Sequence, residues 1–300
     1  MTRTPFDQFS KQFLEEFLTP LGEVKPNMEV PGESRFTDIW FAPSPQPTAN
    51  PETLGLLGRI ASTPCLLEPF RNQPTPTEIR NCLLKLFLVQ ADFQRQARRG
   101  EERILETELP QLWIFASSAS DTLIGGFRAS PDETWLEGVY FLATYLKTAI
   151  IAINQLPRTP ETLWLRLLGK GVTQQQAIAE VIALPVDNQK RSTALRLLAN
   201  WKISIEARAE IDQEERDLIM TLSQAYLEWE QKTERRGMQQ GQRLVVENLL
   251  KVRFGELDEQ LAGIIPSLLE LPTEEYTRLL LQLSQISREE LLARFQSPGT

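Results

Sequence analysis

Two acids are placed to do chemistry. Asp38 and Glu68 fall in short stretches, 35–41 and 65–68, that read as strands, and Glu15 and Glu16 lie on an amphipathic helical run ahead of them. Carboxylates brought from two strands to one end of a sheet can hold Mg²⁺, which generates hydroxide and stabilises charge on a phosphoryl oxygen. Glu16 is the helix acid that would join Asp38 and Glu68. A plainer reading makes Asp38 and Glu68 strand-end acids facing water, and Glu15 and Glu16 a solvated helix face. The 300 residues include no histidine, so Ser-His-Asp and Cys-His nucleophile systems and histidine-containing zinc sites are excluded. Carboxylates, lysines and a bound metal remain.

Other polar clusters carry less. Arg95, Arg98, Arg99 and Arg103 form the densest basic group, at the end of a helical run. They would suit a DNA backbone, and equally they complement the helix dipole and solubilise its end. The formal net charge is −8, which argues against coating nucleic acid through bulk electrostatics and leaves only a local patch for any DNA contact. Residues 168–173, with Gly169, Lys170 and Gly171, lack the phosphate-loop spacing, and read as a glycine helix stop followed by Thr173 as the next cap. Cys65 and Cys82 sit in apolar surroundings without CxxC spacing, which fits buried thiols in a reducing compartment. The expected location is cytoplasmic, since the start lacks a signal-peptide core and the longest apolar runs fall far short of the roughly 20 residues of a membrane helix. Trp40, Trp113 and Trp164 read as core residues.

The elements that would position these groups follow from periodicity. Phe6, Phe9, Phe13, Leu14, Phe17 and Leu18 recur at helical spacing and Pro20 ends the run. Segments 23–30 and 35–41 flank the turn-forming residues 31–34 and read as a hairpin. A proline-rich loop at 42–51, a short helix at 52–60 and the strand at 65–68 follow. Thr77 and Glu78 open a long helix to about Arg99, closed by Gly100. Strands are expected at 112–116, 139–142 and 150–156. Beyond Pro160 every segment has helical periodicity. Gly237 and Gly241 interrupt the polar stretch 230–243, where a hinge or frayed helix is expected, because each glycine costs a helix about 1 kcal/mol relative to alanine. The division is therefore 1–160 as an α/β domain, 161–243 as helical extension and hinge, and 244–300 as a small helical domain.

An opening helix, a hairpin carrying Asp38, a strand carrying Glu68 and then a long helix resembles the PD-(D/E)XK nuclease-like core. The likeness is to the bacterial recombination-promoting nuclease and transposase-like branch, in which an aspartate stands in a strand ending like residues 37–41. It covers about 5–160, and the later helices, including 254–257, are similar to the C-terminal domain of unknown function carried by such proteins. The resemblance implies a restriction-endonuclease-like mixed sheet flanked by helices, followed by an all-helical half. It also implies Mg²⁺-dependent hydrolysis of DNA phosphodiesters, with Asp38 and Glu68 as catalytic metal ligands, Glu16 assisting, and Arg95, Arg98 and Arg99 toward nucleic acid. The family motif places a lysine two residues after the second acid, where this sequence has Phe70. Arg71 would project to the opposite face and Lys85 lies on the following helix, so neither is taken as the replacement. Activity is expected to be weak or lost, and the alternative is an inactive relative that binds a protein, DNA or a second copy of itself through its helical tail.

Overall fold

A computed structural model describes residues 4–30, 36–101, 103–185, 187–208 and 210–295, without side-chain detail at 225, 226, 228–236 and 273. The turn expected at 31–34 lies outside them. Helix α1, Pro5–Leu18, is started by Thr4, whose side chain accepts from the Asp7 amide, and by a proline in the first turn. This satisfies one of the free helix-end donors, and proline costs nothing where no hydrogen bond is due. The hairpin follows as β1, Gly22–Glu29, and β2, Phe36–Pro43. Then come α2, Leu56–Ile60, β3, Cys65–Phe70, and α3, Pro76–Arg99, which Thr75 and Glu78 open with a reciprocal capping box.

The rest of the sheet is β4, Gln111–Ala116, β5, Ser130–Pro131, β6, Val139–Phe141, and β7, Thr148–Ala152, with α4, Asp121–Gly126, between β4 and β5. The sheet has seven strands in the order β1-β2-β3-β4-β7-β6-β5. Its centre, β3, β4 and β7, is parallel, and antiparallel hairpins extend it on both sides. The central strands are buried runs such as Trp113 to Ala116 and Ala149 to Ala152, as expected of parallel strands covered on both faces. On one face Ile79, Cys82, Leu86 and Val89 of α3 pack on Trp40, Leu66, Leu112, Ile114 and Ile150. The third late strand is displaced from its expected span: Ile153–Gln155 is a 3₁₀ turn.

Four helices follow: α5, Leu163–Arg166, α6, Gly171–Ala183, α7, Gln189–Glu206, and α8, Gln213–Phe254. Lys170, with no side-chain cap, precedes α6, so Thr173 lies inside the helix and does not cap it. Gly171 takes a φ of 56°, a left-handed conformation that glycine adopts without steric penalty and that lets the chain turn directly into the helix. Helix α7 packs along α1, where Phe9 stacks on Trp201 with ring centroids 4.3 Å apart.

Two compact units result, Met1–Tyr226 and Leu227–Thr300, so α5, α6 and α7 of the expected extension fall in the same unit as the sheet, and residues 227–243 fall in the other. The hinge or frayed helix expected at 230–243 is also replaced by unbroken α8. The two glycines are outweighed there by Glu, Gln, Lys and Arg, which are good helix formers, and by turns already nucleated on either side. In the second unit, α9, Glu259–Leu269, α10, Thr273–Gln282, and α11, Arg288–Phe295, gather Val246, Leu250, Ile264, Ile265, Leu268, Leu283 and Leu291 into their own core.

Candidate active site

The β2–β3 ladder runs from Phe41↔Cys65 to Ile39↔Leu67. At the next position the Glu68 carboxylate takes over. Its Oε1 accepts from the Asp38 amide at 3.3 Å and from the Thr37 hydroxyl at 2.9 Å. The strands part here, and the carboxylate satisfies the backbone donor that the ladder no longer pairs. Extending the register sets Asp38 opposite Glu68, so their side chains start from the same position across the fork.

Glu68 is 2% exposed. Lys85 of α3 donates to both of its oxygens, at 2.9 and 2.8 Å, and the Cys82 thiol lies 3.8 Å from Oε2. Burial pushes the Glu68 carboxyl up to about 7, and the negative charge of Asp38 adds to the rise; Lys85 and the Thr37 hydroxyl act against it. Burial likewise works against the Lys85 ammonium, but Glu68, Cys82 and Asp38 outweigh it and its pKa is raised. Two carboxylates held close in a dry site resist joint ionisation, and cations restore it.

Asp38 has its own lysine. Lys11 of α1 lies 2.8 Å from Asp38 Oδ1, 3.0 Å from Asp7 Oδ1 and 2.9 Å from Asn27 Oδ1. An ammonium has three donors, so these acceptors saturate it. The fork thus holds two carboxylates facing two ammonium groups, with Asp7 one helical turn before Lys11.

Phe70 packs against the apolar face beneath α3. The ammonium that the strand lacks at Phe70 therefore reaches Glu68 from the helix. Sequence reasoning did not assign Lys85, Lys11, Thr37 or Asn27. One signal was present: Lys85 stands three residues after Cys82 and beside Leu86 in the buried series Ile79, Cys82, Leu86, Val89, where a charge needs a partner.

The remaining expected residues lie elsewhere. Glu16 bonds Gln12 on its own helix and pairs with Arg196 of α7. Arg71 ties the end of β3 to Gly169, Gln174 and Glu214. Arg95 pairs with Asp92 at 3.0 Å. Arg98 and Arg99 are exposed in the last turn of α3, about 20 Å along the axis from Lys85 at 1.5 Å per residue.

Among the described residues no cluster of three or more Cys, Asp or Glu side chains forms a metal cage. The donors at the fork still fit Mg²⁺ by type, because this ion is commonly bound by one or two carboxylates with the rest of its shell from water and substrate phosphate. No described helix is long and apolar enough to cross a membrane. No family model, curated protein or solved structure matches the chain.

Proposed function

We propose that this chain is a PD-(D/E)XK nuclease-like phosphodiesterase acting on DNA with Mg²⁺. The observation that carries the reading is Lys85 Nζ, 2.8 and 2.9 Å from the Glu68 oxygens and near enough to Asp38 for its charge to raise the lysine's pKa. Together they make an acid, acid and lysine set whose lysine arrives from α3 instead of from β3. Asp38 and Glu68 would hold the metal. Once bound, Mg²⁺ would make a coordinated water more acidic and neutralise charge on the phosphate. Lys85 holds Glu68 in place and presents a fixed positive charge where an attacking oxygen and a charged phosphate would sit. Arg98 and Arg99 would meet DNA backbone well away from the cleaved bond.

A second reading is an interaction module without catalysis. It is favoured by Met238, Val245 and Val252 on α8, exposed to 67%, 52% and 87% at seven-residue spacing. Incubation of supercoiled plasmid with the purified chain and Mg²⁺ or Mn²⁺ separates the two. Nicking by the wild type that Asp38→Asn abolishes supports the nuclease. Intact plasmid at every metal concentration tried would sink it.

A further inference from the structure

The ion pair between Lys11 and Asp38 has a consequence for metal binding, resting on the reading of Asp38 and Glu68 as metal ligands. The Lys11 ammonium lies in contact with the more accessible acid of the pair, since the Asp38 side chain is 23% exposed and Glu68 only 2%. Its position is built from three elements: Asp7 and Lys11 on α1, Asn27 on β1 and Asp38 on β2. Asn27 has a φ of 52°, in the left-handed region that asparagine tolerates better than most residues but still at a cost. It lies between Pro26↔Ile39 and Met28↔Thr37 in an unshifted register, which sets it opposite Asp38, and the residue in this costly conformation is the one that holds Lys11 from the side. Backbone strain of this kind persists only where its surroundings enforce it, and it gathers at functional sites.

We propose that Lys11 is a tethered counter-cation of Asp38 that a divalent metal must displace. The fork then has a lysine-closed state and a metal-loaded state, and Lys11 sets the metal concentration at which one gives way to the other. Two positive charges cannot share Asp38 Oδ1 without strong repulsion at contact distance. Release from Asp38 still leaves the ammonium with Asp7 and Asn27 as acceptors, so the change does not strand a bare charge. The exchange is assigned to Lys11 and not to Lys85, because Lys85 sits on the less exposed acid, whose Oε1 is also bonded by Thr37 and the Asp38 amide.

Mn²⁺ binding to the full chain, followed by the loss of the free-ion paramagnetic resonance signal, tests the proposal in wild type, Lys11→Met, Asp38→Asn and the double variant. Lys11→Met should bind on the order of tenfold more tightly than wild type, and Asp38→Asn should abolish binding in either background. Equal or weaker binding by Lys11→Met, still lost with Asp38→Asn, overturns the role of Lys11 and leaves the metal site standing. No Asp38-dependent binding in any form overturns the metal site and this inference with it. Should Lys11→Met fail to fold by circular dichroism, reductive methylation of the wild type decides. Saturating Mg²⁺ should raise modification of Lys11, read by peptide mass spectrometry, without changing that of the half-exposed Lys25. Unchanged Lys11 modification at saturating Mg²⁺ overturns the proposal.

Discussion

Two cations in this molecule, the buried Arg166 and the partly buried Lys85, each face a glutamate, and the glutamates respond in opposite ways. Arg166, 2% exposed, reaches Glu180 of α6 at 2.6 Å and also bonds Thr162 and the Thr159 carbonyl. The hydrogen bond from Arg166, with Arg158 adding its own, holds the Glu180 carboxyl below its ordinary value against the effect of burial. Glu68 has Lys85 just as close, yet its carboxyl is raised to about 7 because it is buried and has Asp38 beside it. The Glu180 pair stabilises its own charge and fastens α5 to α6. At the fork, burial and a second acid oppose the charge that Lys85 favours, and the opposing effects win.

The comparison can be broken most sharply through Lys85. Lys85→Met should lower the proposed plasmid cleavage by about 10² to 10³-fold at saturating metal, the range for losing one preorganised charge at a reacting centre. The Glu180 pair has no part in that rate. Single-turnover cleavage by Lys85→Met within threefold of wild type would show that the ammonium is structural there as well.

Glu180→Gln should act only on stability. It leaves the Arg166 guanidinium buried with neutral partners, at a cost of about 2 to 3 kcal/mol. Urea unfolding measures it, and a loss of cleavage in the folded variant would contradict the separation drawn between the two clusters.

The pH dependence of stability also separates the two clusters, because its sign differs between them. Glu68 has a folded value above the ordinary 4.5, so the folded chain holds that proton more tightly than the unfolded one. Its contribution to stability falls as pH rises from about 4.5 to about 7 and is level beyond. Glu180, with a lowered value, contributes above the ordinary carboxylate range, and that contribution is lost as pH falls through its folded pKa. Carboxyl carbon resonances of the metal-free protein separate them: Glu68 should titrate near neutrality and Glu180 below 4.5. The reverse order would remove the distinction.

Much of the architecture was legible because it depends on local pattern. The aromatic series from Phe6 to Leu18 specifies α1, the run from Thr77 and Glu78 to Arg99 reads as α3, and the apolar run at 112–116 reads as a covered strand, while the strand expected at 150–156 instead spans Thr148–Ala152. The sequence also excluded histidine chemistry and singled out Asp38 and Glu68. It misjudged 230–243, where glycine count was weighed above the helix-forming residues around it. Tertiary structure alone decided which cations those acids meet. Lys85 is 17 residues from Glu68 and Lys11 is 27 from Asp38, and neither distance is encoded in a motif. Helix α3 had to fold back over β3, and α1 against the hairpin, before either ammonium had a partner. An ion pair between elements depends on how the sheet is ordered and where its strands part, which only packing of the whole unit determines.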